Sequence, residues 1–451
     1  MKGKLFKRKL YSQMKEWKDS SNGSTALLIK GARRVGKSTL AAFFAQNEYE
    51  TSISIDFSIA SKEILELFNY IHDLDFFFLR LQSITKTSLI HRKSVIIFDE
   101  IQLYPKARQA IKHLVADGRY DYIETGSLLS IQKNIKDIVI PSEETRVCLY
   151  PMDFEEFLWA TNDEQTFPLI KYCFSHLKPL GDEINREIMR RFRLYMLVGG
   201  MPQAVNTYLL DNDFSSIDKI KRNILELYIE DFHRIDPSGR ASDIFRSIPS
   251  ELSKNAQRYK IGSVVENGRI SRLREILNDM SDSMTVNFSY HVNDPNVGMH
   301  LHADYDYFKI FLVDTGLFIT LAFWDNEYID NEIYRKIWLD KLPADLGYIY
   351  ENVVAQLLKS AGNSLYYYTF KKLKKNEEER DKYYEIDFLI SRRDKICPIE
   401  VKSSGYNTHK SIDEFANKFS SRVSQRYILY TKDIKKERDL IYLPVYMTSL
   451  L

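Results

Sequence analysis

The chain contains 451 residues, of which 44% are hydrophobic and 28% are charged, and its formal net charge is +2. This length is too great for a single hydrophobic core, so we expect two or three domains in a soluble globular protein of ordinary composition. The near-zero charge excludes a strong attraction of the whole chain to nucleic acid but leaves room for a local basic face.

Cysteine usage and hydropathy predict a cytoplasmic protein. Cys148, Cys173 and Cys397 are far apart and lack metal-ligand spacing, which argues against a disulfide framework or a zinc knuckle and favours a reducing compartment. The basic start of the chain has no unbroken apolar stretch, unlike a secretory signal. No apolar run approaches the ~20 residues of a membrane span, so we expect no membrane partner.

The first predicted element is an amphipathic helix near the N-terminus. Its apolar positions recur at helical spacing, namely Leu5, Phe6, Leu10, Tyr11, Met14 and Trp17. We interpret its lysines as a solvated face, and contact with phosphates or lipid is the alternative.

Residues 25–45, "TALLIKGARRVGKSTLAAFFA", read as a strand, a glycine-rich turn and a helix. Gly31, Gly36, Lys37 and Ser38 fit the phosphate-binding pattern G-x-x-x-x-G-K-[ST]. The glycines let backbone N–H groups approach the phosphates, Lys37 neutralises β- and γ-oxygens, and the Ser38 hydroxyl binds Mg²⁺. A glycine turn beside a lysine is the alternative. The pattern predicts ATP and Mg²⁺ as cofactors, with the nucleotide bound by Gly31, Ala32, Arg33, Arg34, Val35, Gly36, Lys37, Ser38 and Thr39.

The next apolar strand, "SVIIFDEIQ" (94–102), ends in Asp99 and Glu100. In P-loop NTPases such a strand lies near the phosphate loop, so we predict that Asp99 holds Mg²⁺ and that Glu100 polarises the attacking water. An acidic turn is the alternative. A further strand ends at 125–127, "TGS", and Arg146 follows as a candidate γ-phosphate contact or, equally, a surface salt-bridge partner.

The middle of the chain, 184–300, is predicted to be mostly helical, with a break at 199–200. Helical segments precede an alternating run at 283–292, "SMTVNFSYHV", which predicts a strand. Helices followed by a strand suit a winged helix, and a candidate recognition helix carries Arg269, Arg272 and Arg274. Packing within the chain is the alternative to DNA contact there.

Near the end of the chain, "YYEIDFLI" and "CPIEVKSS" predict two strands joined by a charged hairpin at 392–395. Side chains alternate along a strand, so Glu400 and Lys402 share a face, and the hairpin would bring Asp387 beside them. Two such carboxylates would bind Mg²⁺, and Lys402 would orient or activate a water, as at a metal-dependent phosphodiester-cutting site. A structural ion-pair network is the alternative.

In this order, "GARRVGKSTL", "VIIFDEIQ", "YIETGSLLS", "LYPMDFEEFL", "LVGGMPQAV", "KIFLVDTGLF" and "GYIYENVVAQLLKS" resemble a bacterial and archaeal family. Its members join an AAA+-type ATPase domain to a C-terminal DUF4143 domain. The resemblance implies an α/β chain with an ATPase domain at 1–165, a helical and winged-helix-like region at 166–300, and a restriction-endonuclease-like domain at 301–451. It also implies that Ser127 senses the γ-phosphate and that Glu351 completes a metal site with Asp387 and Glu400.

The leading hypothesis is therefore an ATP-hydrolysing molecular switch whose C-terminal domain binds or cuts DNA under nucleotide control. One alternative is an ATP-dependent switch that recognises a protein partner, with the C-terminal fold as a docking surface. Another is a nuclease in which ATP only regulates access.

Overall fold

The computed structural model describes residues 5–126, 142–254, 256–265, 268–325, 331–339, 347–372, 382–403 and 408–451. The chain forms two compact units. The first comprises residues 1–150 with 282–284, and the second comprises 151–281 with 285–451.

The first unit is built on a parallel sheet of five strands: β1 (Ala26–Lys30), β2 (Thr51–Asp56), β3 (Ser94–Asp99), β4 (Asp121–Gly126) and β5 (Glu144–Cys148). The spatial order is β2-β3-β4-β1-β5, and all four pairings are parallel. Its described helices are α1 (Leu10–Ser21), α2 (Lys37–Glu48), α3 (Lys62–Leu67), α4 (Leu74–Thr85) and α5 (Pro105–Asp117). Strands β1, β3 and β4 are buried along nearly their whole length, as expected where helices cover both faces of a parallel sheet.

The strand order determines where the functional loops meet. Strand β4 lies between β1 and β3, and all three run in the same direction. Their carboxyl ends therefore share one edge of the sheet, which is where ligands bind in open α/β sheets. The predicted N-terminal helix is present as α1, with Leu10, Met14 and Trp17 buried, but it begins at Leu10, so Leu5 and Phe6 precede it.

The second unit combines helices with a mixed sheet. Its described helices are α6 (Phe154–Ala160), α7 (Thr166–His176), α8 (Asp182–Val198), α9 (Pro202–Asp211), α10 (Phe214–Ile235), α11 (Arg240–Ser253), α12 (Ile270–Asp282), α13 (Thr315–Ala322), α14 (Asn331–Trp338), α15 (Gly347–Ser360) and α16 (Lys410–Lys418). The break expected at 199–200 separates α8 from α9, and Pro202 is the first residue of α9.

The sheet of the second unit has eight strands, in the order β12-β13-β11-β10-β9-β8-β6-β7. These strands are β6 (Val286–Val292), β7 (Ala303–Leu312), β8 (Tyr366–Lys371), β9 (Tyr383–Arg392), β10 (Lys395–Val401), β11 (Arg426–Tyr430), β12 (Lys435–Glu437) and β13 (Leu440–Pro444). The predicted charged hairpin is confirmed as β9 and β10, which pair antiparallel. The α/β fold class is confirmed as well.

The organisation of the middle region differs from the three predicted ranges. Strand β6 follows α12, as the winged-helix interpretation requires, but it pairs with both β7 and β8. It is therefore an internal strand of the C-terminal sheet, and the predicted boundary at residue 300 would separate neighbouring strands. Arg269, Arg272 and Arg274 are exposed, and Arg274 forms an ion pair of 2.7 Å with Asp306. No helix in the described part of the chain combines the length and apolarity that a membrane span requires.

Candidate functional site

The predicted phosphate-binding loop connects β1 to the first turn of α2. Gly36 has φ 97°, in the left-handed region where a side chain is strained, and Arg34 also has a positive φ of 71°. Gly31 packs so closely that an added Cβ would clash with the carbonyl oxygen of Leu149. The two glycines of the motif are thus required for different reasons, one for close packing and the other for a backbone turn.

Lys37 lies inside this loop. Its ammonium donates hydrogen bonds of 3.0 Å to the carbonyl oxygens of Gly31 and Ala32, and the residue is only 7% exposed. Burial lowers the pKa of Lys37, while the carboxylates of Glu100 and Asp99 oppose that shift. The Lys37 ammonium is therefore held by carbonyl groups of the loop, and it lies within the electrostatic field of Asp99, which ends β3, and of Glu100, which follows it.

The predicted Mg²⁺ ligands meet at the sheet edge. Ser38 Oγ donates a hydrogen bond of 2.8 Å to Asp99 Oδ1, and Thr125 Oγ1 donates to the same oxygen. Three elements, α2, β3 and β4, thus place hydroxyl and carboxylate oxygens together. Oxygen donors of this kind are the ligands that Mg²⁺ prefers, so these residues fit the predicted ion.

Glu100 directly follows β3 and has a left-handed backbone, with φ 52°. The side-chain amide of Gln102 donates a hydrogen bond to Glu100 Oε2, and Gln102 is 4% exposed. Gln102 was not singled out by the sequence reasoning, although it belongs to the same "DEIQ" segment. A buried amide that orients the predicted base is thus an addition to the site.

The remaining residues of the prediction differ in their exposure. Val35 is buried, whereas Arg34 and Thr39 are exposed and Arg33 is half-buried. Ser127 lies outside the described residues, so its predicted role is not addressed by the structure. Arg146 Nε lies 3.3 Å from Glu144 Oε2, which is the salt-bridge alternative considered for it.

The N-terminal unit also contains a buried charge cluster that the sequence reasoning missed. Arg108, on α5, donates two hydrogen bonds of 3.1 Å to the two carboxylate oxygens of Glu144, on β5. Glu124, on β4, is fully buried nearby. Burial and the charge of Glu144 raise the pKa of Glu124 well above its ordinary value, against the influence of Arg108 and Arg146.

In the second unit, the β9–β10 hairpin places Asp387 beside Glu400. The last ladder pair is Phe388 with Ile399, and these two acids follow directly, one on each strand. Asp387 Oδ2 accepts a hydrogen bond of 2.7 Å from the backbone N–H of Val401. Lys402 Nζ lies 2.6 Å from Glu400 Oε1, so the predicted carboxylate–lysine pair is a close ion pair.

A second lysine enters the same cluster from β7. Lys309 Nζ forms an ion pair with Glu385 and lies 3.8 Å from Glu351 Oε2. Neither Lys309 nor Glu385 was predicted as a site residue. For Glu385 a signal existed, because it stands two positions before Asp387 and therefore shares its face of the strand.

The electrostatics of this acidic cluster follow from burial and crowding. Burial raises the pKa of Asp387 well above its ordinary value, and Glu351, Glu385 and Glu400 add to the effect. Burial also raises the pKa of Glu351, with Lys309 opposing. For Lys309, burial favours the neutral amine, but Glu385, Glu351 and Asp387 outweigh it and raise its pKa.

Within the described residues, no group of three or more His, Cys, Asp or Glu side chains is arranged to hold a metal ion. Glu351, Asp387 and Glu400 are thus brought into one cluster but not into a metal-ligand geometry. The C-terminal metal site stays a prediction, and the ion-pair network that was its alternative is the arrangement present.

A phosphate-binding loop beside an acidic strand end, on a parallel sheet of this order, defines a P-loop ATPase domain of the AAA type. Comparison with known families agrees: residues 23–158 match the model described as an AAA domain. Residues 189–328 match a domain of unknown function, DUF8612, and residues 346–448 match another, DUF4143. The chain therefore contains an AAA ATPase domain and a DUF4143 domain. A search of curated proteins found no match.

Several solved structures are remotely similar to the chain. The structure titled "The walker-type atpase paby2304 of pyrococcus abyssi" is 18% identical, with 70% of this chain and 96% of that chain covered and a TM-score of 0.44. A signal transduction ATPase with a tetratricopeptide repeat sensor from Pyrococcus horikoshii is 13% identical, with 80% and 46% covered and a TM-score of 0.26. AMPPCP-bound DnaA from Aquifex aeolicus is 11% identical, with 62% and 90% covered and a TM-score of 0.25.

Proposed function

We propose that the protein binds ATP with Mg²⁺ at the phosphate-binding loop and hydrolyses it. The observation that carries this proposal is the 2.8 Å contact between Ser38 Oγ and Asp99 Oδ1, with the Lys37 ammonium buried in the adjoining loop. A hydroxyl, a carboxylate and an ammonium lie together at the carboxyl edge of a parallel sheet. These are the groups that bind the phosphates and Mg²⁺ of a nucleoside triphosphate.

Each residue has a distinct task in this proposal. Lys37 neutralises the β- and γ-phosphate oxygens, and the N-terminus of α2 directs its backbone N–H groups at them. Ser38 and Asp99 hold Mg²⁺, which when bound supplies positive charge to the phosphate oxygens. Glu100 accepts a proton from the attacking water while the water oxygen forms a bond to the γ-phosphorus. The bond from that phosphorus to the bridging oxygen breaks, giving ADP and inorganic phosphate.

Phosphate release by the purified full-length chain, measured with ATP and Mg²⁺, tests this proposal. We expect steady turnover in the wild-type protein and its loss in both Lys37→Ala and Glu100→Gln. The two variants should fail differently, the first in binding and the second in chemistry. Equal turnover in all three proteins would contradict the assignment of the site.

We further propose that the nucleotide state controls what the C-terminal domain binds. The DNA-binding or DNA-cutting role is supported by the resemblance of the β9–β10 motif to nuclease strands and by the exposed Arg269 and Arg272 on or beside α12. The second candidate, a catalytically inactive domain that docks a protein, is favoured by the lysine pairing of Glu400 and Glu385. The test is incubation with DNA, Mn²⁺ and ATP, with phosphate release and strand cleavage scored separately. Strand cleavage would support the DNA-cutting role, and phosphate release without cleavage would support the catalytically inactive domain.

A further inference from the structure

The acidic cluster of the second unit contains lysine side chains as well as carboxylates. Four carboxylates lie in it, from Glu351 on α15, Glu385 and Asp387 on β9, and Glu400 on β10. Two lysines are paired with them. Lys402 contacts Glu400 at 2.6 Å, and Lys309 contacts Glu385 and lies 3.8 Å from Glu351.

Lys309 is the more informative of the two lysines because of where it comes from. It stands on β7, whose last five residues are all buried, and its side chain is only 8% exposed. The buried Lys309 side chain thus places its ammonium group between Glu351, on α15, and Glu385, on β9. Burying an ammonium group is costly unless opposite charges compensate it, so Lys309 requires the neighbouring carboxylates in order to be buried as a cation.

We propose that Lys309 is the resident cation of this cluster, taking the charge-compensating role that a divalent metal ion has at a nuclease-like site. The Lys309 ammonium contacts both Glu351 and Glu385, Lys402 pairs with Oε1 of Glu400, and the Val401 N–H donates to Oδ2 of Asp387. A divalent ion placed between Glu351 and Glu385 would face the Lys309 ammonium at contact range. Lys402 contacts one oxygen of Glu400, and the other, Oε2, is buried without a hydrogen-bond partner among the residues that the structure describes. Lys309 and Lys402 thus compensate part of the negative charge of the four carboxylates.

This inference concerns the second unit alone and holds whether or not the protein hydrolyses ATP. Its consequence is that Mg²⁺ or Mn²⁺ does not bind between Glu351 and Asp387 while Lys309 is in place, which favours the catalytically inactive docking domain over DNA cutting as the role of the DUF4143 domain.

The test is a count of bound Mn²⁺ by electron paramagnetic resonance on the full-length chain without nucleotide. Asp99→Asn is present throughout, to remove the predicted N-terminal metal site. With Lys309 intact we expect no Mn²⁺ bound at the acidic cluster up to millimolar concentration, and no difference when Asp387→Asn is added. In Lys309→Met we expect one Mn²⁺ ion to be gained and then lost on adding Asp387→Asn. Lys436→Met, a change at an exposed lysine of β12, is the matched control and should gain nothing.

Two results would overturn the proposal. One is Mn²⁺ bound with Lys309 intact and released by Asp387→Asn, which would mean that a metal site exists beside the lysine. The other is a folded Lys309→Met variant that still binds no Mn²⁺, which would mean that the lysine does not occupy a metal's role. If Lys309→Met fails to fold, Lys309→Met/Glu385→Gln replaces it, with the same two outcomes, since that change removes both charges of the pair.

Discussion

Ser38 Oγ and Asp99 Oδ1 are joined by a hydrogen bond of 2.8 Å although they stand 61 positions apart in the chain. Ser38 lies in the first turn of α2, and Asp99 ends a strand that is not a neighbour of β1 in the sheet. This contact connects the two halves of the proposed ATP site, and Thr125 joins it from the strand that lies between them. The site therefore depends on the strand order as much as on the motif.

Lys37→Ala should reduce ATP affinity by about 100-fold, because charge-assisted hydrogen bonds to phosphate are each worth about 1.5–3 kcal/mol. Calorimetric titration with ATP and Mg²⁺ measures the change. Lys62→Ala, at a lysine whose side chain is 89% exposed in the same unit, is the control and should bind ATP normally. Normal ATP binding by Lys37→Ala would remove the phosphate-site assignment.

Glu100→Gln should bind ATP as the wild type does but hydrolyse it about 10²–10⁴-fold more slowly, because the amide cannot accept the proton from water. Binding by calorimetry and single-turnover phosphate release separate the two effects. A variant with unchanged turnover would transfer the base role to another residue.

Gln102→Met should lower turnover by about tenfold with little change in ATP affinity, because it removes a donor to Glu100 of net worth about 1–2 kcal/mol. The decisive measurement is a double-mutant cycle. If Gln102 acts through Glu100, then adding Gln102→Met to Glu100→Gln should slow hydrolysis no further. Additive losses would indicate a general structural role instead.

Arg108→Met should destabilise the N-terminal unit by about 3–5 kcal/mol, because it leaves the fully buried Glu144 carboxylate without its bidentate partner. Arg108→Met/Glu144→Gln, which removes both charges, should recover much of that loss. Chemical denaturation followed by circular dichroism measures both. As a control, Lys93→Met breaks an ion pair whose two side chains are more than half exposed, and it should cost less than about 1 kcal/mol.

Lys221 provides a prediction of pH dependence. It is buried in the second unit and donates hydrogen bonds to the carbonyl oxygens of Leu197 and Gly316 and to the hydroxyl of Tyr334. Burial lowers its pKa from 10.5 to about 8, against the influence of Asp218 and Asp314. Between those two pH values the unfolded chain binds the Lys221 proton more tightly than the folded chain does.

The contribution of Lys221 to stability should therefore rise with pH, by about 3 kcal/mol in total from pH 8 to pH 10.5. Urea denaturation of the wild type and of Lys221→Met at several pH values in this range isolates the effect, because other titrating groups are common to both proteins. Parallel curves for the two proteins would contradict the lowered pKa.

The parts of the site that could be predicted are those formed by residues close together in the sequence. The predicted phosphate-binding loop occupies eight consecutive residues with a strand before it and a helix after it, so the sequence could place Lys37 and Ser38 in the first turn of α2. It could likewise place Asp99 and Glu100 at the end of β3, because an apolar run ends there. Their roles stay predictions. Strand β6 was visible by alternation, but alternation does not say which strands are its neighbours.

Contacts between distant elements could not be predicted in this way. Lys309 and Glu385 are 76 positions apart, and their pairing depends on the place of β7 and β9 in an eight-stranded sheet. Arg108 on α5 is an ordinary helical arginine in the sequence, and only the packing of that helix on the sheet reveals its partner Glu144. The charged partner of a buried acid is set by the packing of distant elements, and local sequence patterns do not reveal it.

The position of β6 between β8 and β7 has a practical consequence for dissecting the molecule. A fragment that begins at residue 301 would contain β7 and β8 without the strand that joins them. The edge of β8 would then present unpaired N–H and C=O groups to other copies, which favours edge-to-edge aggregation. β7, which carries Lys309, would have no strand partner within the fragment. A recombinant piece meant to report on the acidic cluster must therefore start no later than β6, and a protease cut inside the 293–302 connection would leave the two pieces held together by their strands.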